Sequence, residues 1–274
     1  MRTSGVVGER TIHDFGEQWV HYGDNDGFYG STELFADIIG PLLSREDFAG
    51  RRVAEIGSGA GRIVAMMLES GAAQVVAIEP SDGHFVAQRN LARYGDRVTF
   101  LHGRGEDIPR DTPFDLIVSV GVLQFIPEPK PVVDAAFAAL KPGGQLFVWL
   151  YAREGTTLYR GLVHALRVVG RVLPHPILAA MVRVIDLALV LYMGLCRVLP
   201  LPLHDYLENV VGRFTPEKRR LVIYDQLNPT HVHYHSREEA EELLTASGFV
   251  DVRLHHRRRY SWSVVGRKPG RVGP

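Results

Sequence analysis

The stretch Val53-Ala-Glu-Ile-Gly-Ser-Gly-Ala-Gly61 decides how the rest of the chain is read. A short apolar run that ends in glycine is a buried strand. Glycines at 57, 59 and 61 follow it. At the carboxyl end of a central strand, glycines let the backbone approach a ligand that a Cβ would hold off. The spacing alone does not name the ligand. A dinucleotide fingerprint wants a glycine three residues after Gly59, and position 62 is Arg62.

Working outward, Val75 to Ile78 reads as a second strand and ends at Glu79. A carboxylate there accepts hydrogen bonds from both ribose hydroxyls of a nucleoside, whichever nucleoside cofactor it is. Further strands are expected over 98–101, 114–120 and 145–151, separated by helices over 61–70, 81–94 and 128–140. Ser81 suits an N-cap, because its hydroxyl can accept a free N–H of the first turn. Lys141-Pro-Gly-Gly144 reads as a turn. Continuous apolar strands alternating with helices imply a parallel sheet covered on both faces. Ser236 then caps a helix, and 250–254 with 260–265 forms a closing antiparallel pair. The expected fold is α/β: a Rossmann-like, doubly wound, mostly parallel sheet with a C-terminal antiparallel hairpin and a helical cap insertion.

The chain has 274 residues, 46% hydrophobic and 23% charged, the balance of a globular domain. Lysine plus arginine equals aspartate plus glutamate at 31 each, so no basic excess points to nucleic acid. The single Cys196 excludes a disulfide scaffold and fits a reducing cytoplasm. No signal peptide is read at the N-terminus. Arg183, Asp186 and Arg197 interrupt the apolar run from Ile177 to Leu199, so no spanning helix is expected. The texture divides the chain into an N-terminal helical lid (1–50), a nucleoside-binding core (51–151), an apolar helical cap (152–215) and C-terminal elements completing the sheet (216–274).

Six segments occur in order: Glu55-Ile-Gly-Ser-Gly-Ala-Gly61, the acid at 79, Gly105-Glu-Asp-Ile-Pro109, Phe114-Asp-Leu-Ile-Val-Ser119, Val122-Leu-Gln-Phe-Ile-Pro127 and Leu140-Lys-Pro-Gly-Gly144. Together they resemble class I S-adenosylmethionine-dependent methyltransferases, with a type 11/25-like domain. The resemblance covers residues 50–151 and extends to the helix and hairpin at 236–266. It implies S-adenosylmethionine as cofactor. Glu55, Gly57, Ser58, Gly59 and Gly61 would hold its methionine part, and Glu79 with Pro80 its ribose. Gly105, Glu106 and Asp107 would lie beside the adenine, and Ser119, Val120 and Gly121 near the sulfonium. Many relatives carry an aspartate where this chain has Arg104, which separates it from them at the adenine.

Candidate acceptor residues come from outside that core. Phe15, Trp19 and Tyr22 share one helical face, and Tyr29 follows a glycine-bounded loop. In 228–235, Asn-Pro-Thr-His-Val-His-Tyr-His, an extended backbone turns His231, His233 and His235 to one side and Tyr234 to the other. Histidines suit proton transfer near neutrality. His231, His233 and Tyr22 are therefore candidate catalytic residues. Trp19, Tyr29, Gln124, Tyr224, Tyr234 and His235 are candidate acceptor contacts. No nearby acid or cysteine completes a metal site. In the cap, Leu158, Leu162, Ala165, Leu166 and Val169 form a helical stripe, and prolines 174, 176, 200 and 202 break the helices. Such a cap serves a lipophilic acceptor, a homodimer interface or peripheral membrane contact. His255-His-Arg-Arg-Arg259 reads as a solvated strand edge. The expected activity is methyl transfer to a small lipophilic acceptor, to oxygen or carbon. The alternatives are a non-catalytic cofactor-binding subunit and an NAD(P)-dependent oxidoreductase.

Overall fold

The computed structural model describes residues 2–170, 175–227 and 229–270. Seven strands form one sheet: β1 (Arg52–Ile56), β2 (Gln74–Glu79), β3 (Val98–His102), β4 (Phe114–Val120), β5 (Leu140–Tyr151), β6 (Val250–Arg257) and β7 (Ser261–Arg267). Their order is β3-β2-β1-β4-β5-β7-β6. The first five are parallel, and β7 joins β5 and β6 antiparallel. The chain winds one way from β1 through β2 to β3 and the other way from β1 through β4 to β5. The strand order therefore reverses beside β1, which is where such sheets bind ligands.

Ten helices accompany the sheet among the described residues: α1 (Arg2–His21), α2 (Thr32–Ile39), α3 (Arg62–Glu69), α4 (Gly83–Leu91), α5 (Lys130–Ala139), α6 (Thr157–Gly170), α7 (His175–Cys196), α8 (His204–Asn209), α9 (Pro216–Leu227) and α10 (Arg237–Thr245). Successive strand residues face opposite cores. Val53, Val75, Leu116 and Val118 pack with Phe35, Phe48 and Met67 on one face. Ala54, Val76, Ile117 and Val148 pack with Val132, Ala136 and Leu244 on the other. The N-terminal fifty residues are more than a lid, because Phe35 and Ile39 of α2 are fully buried in the first core.

The sequence reading departs from the structure at four places. β5 begins at Leu140, so Lys141-Pro-Gly-Gly144 lies inside it. There Phe114 pairs with Leu140 but Leu116 already pairs with Gln145, and the four residues bulge from the ladder. α4 begins at Gly83, one residue past Asp82. Ser81 still accepts the Gly83 N–H at 3.1 Å, while its own hydroxyl donates to Glu79.

Of the expected stripe on α6, Leu166 packs inward against Val182, Ile223 and Leu227, and the rest of its described side chains do not. Leu158 and Leu162 are exposed, and Val163 is buried in their place, because the inner side of α6 faces α9. Val169, as a side chain, and Pro174 lie outside the described residues. The tail does run along the edge strand β6, but it is only partly solvated: Arg257 is 3% exposed and bonds both the carbonyl and the carboxylate of Asp37. Arg258 also binds Asp37, at 2.7 Å.

The cap is tied down through Asp186 of α7, which is buried and accepts from Arg219 of α9 at 2.8 Å. Among the described residues, no helix is long and apolar enough to cross a membrane.

Candidate active site

A cavity of about 290 Å³ opens at the carboxyl ends of β1, β2, β4 and β5. Its walls fall into two halves. Ile56, Gly57, Glu79, Pro80, Gly105, Glu106, Val120 and Gly121 line one half. The other is lined by Tyr29, Arg62, Trp149, Tyr151, Tyr206, Phe214, Asp225, Gln226, Arg257 and Tyr260.

The first half is shaped by backbone. Gly57 has φ +78°, and a Cβ there would sit 2.3 Å from Val122 Cγ2. At Gly105 a Cβ would meet Val132 at 2.6 Å and Ile56 at 2.8 Å. Only glycine satisfies either position without moving a neighbouring side chain. Glu79 is 6% exposed and accepts from Gly59 N–H at 2.7 Å, Ser81 N–H at 3.0 Å and Ser81 Oγ at 2.6 Å. Burial lifts its pKa above the ordinary carboxylate value, and these three donors act against that rise. Glu55 lies beneath the loop, where burial raises its pKa well above the ordinary value. Its Oε2 has no hydrogen-bond partner. A glycine-lined cradle, an acid at the end of β2 and an orphaned buried carboxyl oxygen fit a nucleoside cofactor with a cationic amino-acid end.

Of the loop residues, Gly57 alone borders the cavity. Ser58, Gly59 and Gly61 lie behind it, as do Asp107 and the buried Ser119. Asp107 Oδ2 instead accepts the Arg104 N–H at 2.8 Å and shapes the turn. Arg104 itself borders the cavity and pairs with Glu9 of α1. Trp19 and Phe15 of α1 line the cavity, and the Trp19 indole lies against the backbone of Gly59 and Gly83.

The histidine run alternates as its extended backbone requires. His233 and His235 meet edge to face at 4.5 Å on one side, and Tyr234 stacks on Tyr151 at 5.5 Å on the other. Tyr234 itself does not border the cavity; it stands behind Tyr151, beside Arg160 and Arg167 of α6. His231, His233 and His235 do not border the cavity, because the run lies against the end of β5 with His235 N–H on Tyr151 O at 2.9 Å. His233 Nε2 contacts Glu239 at 3.1 Å. His235 is buried, which pulls its pKa down to about 4. Tyr22 and Tyr224 pair with each other at 6.5 Å outside the cavity. Gln124 is fully buried behind it, its carbonyl accepting the His233 N–H at 2.8 Å. Of the expected acceptor contacts, Trp19 and Tyr29 reach the cavity wall. Among the described residues, no group of three or more His, Cys, Asp or Glu is placed to hold a metal ion.

Several lining residues escape a reading of the sequence. Trp149 and Tyr151 lie two apart on β5 and so share a face, a signal that was available. Arg62 stacks over the Tyr29 ring at 4.2 Å and donates to the Tyr29 carbonyl. Asp225 on α9 accepts from Gln18 Nε2 of α1. Burial raises its carboxyl to about 7, against the opposing effects of that hydrogen bond and of Arg62. Its signal was an inward helical face, Lys218, Leu221, Val222 and Asp225, carrying two ionisable groups.

Residues 54–148 match the profile of a family described as "Methyltransferase domain". A demethylmenaquinone methyltransferase of Clavibacter sepedonicus is 32% identical over 113 residues, covering 41% of this chain and 46% of that protein. A ubiquinone biosynthesis O-methyltransferase of Idiomarina loihiensis is 30% identical over 124 residues, covering 44% and 51%. The chain thus spans about half the length of the curated relatives it matches. Magnesium protoporphyrin IX methyltransferase from Synechocystis, solved with bound S-adenosylhomocysteine, shares the fold with a TM-score of 0.52 at 14% identity. That likeness covers 92% of this chain and 93% of the other. Residues 54–148 thus match a methyltransferase domain, and the sheet that carries them is the fold of that solved methyltransferase.

Proposed function

We propose that the protein transfers a methyl group from S-adenosylmethionine to oxygen or carbon of a small lipophilic acceptor in the cytoplasm. One observation carries this reading. A single cavity joins the Gly57, Glu79 and Gly105 cradle to a chamber walled by aromatic rings. The cradle would seat the cofactor at the carboxyl ends of the strands, and the chamber would take an apolar partner beside it.

When bound, S-adenosylmethionine supplies an electrophilic methyl on a sulfonium. The residues of this chain align, desolvate and hold protons, which is what such a reaction asks of a protein. Glu55, the 57–61 backbone and Glu79 would bind the amino-acid and ribose ends. Gly105 and Glu106 would flank the base, and Val120 and Gly121 would face the reacting centre. Trp19 and Phe15 exclude water from the loop side. The quinone precursors named for the relatives above are aromatic and apolar, in keeping with the chamber.

Titration calorimetry with S-adenosylhomocysteine tests the cofactor half, and labelled cofactor with lipophilic cell fractions tests transfer. Absence of homocysteine-adduct binding, or thermal stabilisation by NAD instead, rules the reading out. A second reading, a docking role for the cap, has its own support: Val184, Leu187, Leu191 and Leu195 form an exposed apolar row on α7. Vesicle flotation separates membrane contact from self-association, which sedimentation would detect.

A further inference from the structure

We propose that Asp225 is the general base of this site and that the acceptor is a planar phenol- or enol-type hydroxyl, a step that rests on the methyl-transfer reading above.

The chamber selects flat guests. Trp149, Tyr151, Tyr206 and Tyr260 reach it from β5, α8 and the β6–β7 turn. The Tyr206 and Tyr260 rings stack at 4.0 Å, and Trp149 meets Tyr151 edge to face at 5.4 Å. Aromatic walls of this kind take aromatic guests in offset or edge-on contact.

The chamber also contains one proton acceptor. The described lining residues include three carboxyl groups, and Glu79 and Glu106 belong to the cofactor half. No histidine lines the cavity among the described residues. Burial pushes the hydroxyl pKa values of Tyr29, Tyr151, Tyr206 and Tyr260 up, so these groups stay protonated and donate. Arg257 is already committed to Asp37. That leaves Asp225, whose carboxyl Gln18 of α1 holds through Oδ1. Gln18 is 2% exposed and stands behind the cavity wall, so it positions the Asp225 carboxyl and leaves the acceptor to Asp225.

The chemistry narrows the acceptor class. An acceptor that is already anionic needs no base, so Asp225 adds little to its transfer. An aliphatic alcohol holds its proton too tightly for a carboxylate to assist much. A phenol, with a pKa of about 10, lies within reach of a base near neutrality. In the step, the acceptor oxygen forms the O–CH₃ bond as the methyl–sulfur bond breaks. The electron pair of that bond goes to sulfur, leaving a neutral thioether. The hydroxyl proton passes to the Asp225 carboxylate and from there to solvent.

The groups facing Asp225 are Gln18 from α1, Arg62 from α3, Tyr29 from the loop before α2, Tyr151 from β5 and Tyr224 from its own helix. The shifts of the three tyrosines run upward, away from neutrality, and the limb that Asp225→Asn removes is the one Asp225 supplies.

The test compares the full chain with Asp225→Asn and Asp225→Glu on catechol and on 4-nitrocatechol, which is already ionised at pH 8. Asp225→Asn should keep S-adenosylhomocysteine affinity within about twofold. Its kcat/KM on catechol should fall on the order of 100-fold or more, and on 4-nitrocatechol by under about tenfold. The limb near neutrality should vanish from its pH profile, and Asp225→Glu should restore part of the rate. Equal losses on both phenols, an unchanged rate on catechol, or a protein that binds the adduct yet methylates neither phenol would each overturn the assignment. Failure of the unaltered protein to bind S-adenosylhomocysteine would instead sink the methyl-transfer reading on which it rests.

Discussion

The side-chain amide of Gln18 donates to the carboxylate of Asp225, joining the first helix to α9 across 207 positions of sequence. The contact fastens α1 beside the cavity, where Phe15 and Trp19 of the same helix cover the glycine loop. It also places an acid in a site whose other walls are mostly rings.

Asp225 makes stability depend on pH in an unusual direction. Its folded carboxyl titrates near 7, above its unfolded value of 3.8. Between those values the folded state holds a proton that the unfolded state has lost. Stability therefore falls as pH rises through the window, by up to about 4 kcal/mol at full effect. His235 slopes the other way, because its folded pKa of about 4 lies below 6.5 and its contribution is lost as pH falls. The difference between the protein and Asp225→Asn isolates the first term. Urea midpoints measured from pH 5 to pH 8 should show Asp225→Asn gaining relative stability as pH rises. Parallel curves would contradict the shift.

Gly57→Ala should both strain the backbone and collide with Val122. A non-glycine residue at φ +78° costs about 1–3 kcal/mol. The cofactor cradle would also widen, so S-adenosylhomocysteine affinity should drop at least tenfold by calorimetry. Adding Val122→Ala should recover part of the loss by removing the clash, leaving the backbone term. A double variant no better than the single would show that the clash is not the cause.

Asp37→Asn should be among the more damaging changes away from the cradle. It leaves the buried Arg257 without its counter-charge and takes a bidentate partner from Arg258. Removing one member of a buried pair costs about 3–5 kcal/mol, and the partial exposure of Asp37 places the expected loss at the lower end. Chemical denaturation would measure it.

Ser236→Ala should cost about 1 kcal/mol. Ser236 Oγ accepts the Glu239 N–H at 3.2 Å while the Glu239 carboxylate accepts the Ser236 N–H at 2.9 Å, a reciprocal cap on α10. Glu239→Gln tests the other half. It also removes the acid that His233 and Arg153 share, so it should cost more than the serine change.

What the sequence determined by itself was local and periodic. The apolar run into Gly57, the acid closing β2, the alternation of strands with helices and the Ser236 cap all follow from backbone sterics and from burial repeating every two or 3.6 residues. Each can be read within a window of about ten residues. Even the histidine run was legible as an alternation. The tertiary structure alone decided that neither side of that alternation meets the cavity: Tyr234 stacks behind Tyr151, and His233 and His235 lie against α10 and the end of β5. The tertiary structure also assembled the aromatic chamber. Tyr29, Tyr151, Tyr206 and Tyr260 come from four separate elements. Asp225 is an ordinary helix residue until Gln18 and those rings surround it. Its pKa is a property of that surrounding medium, because the cost of desolvating a charge depends on everything packed about it, however distant in the chain.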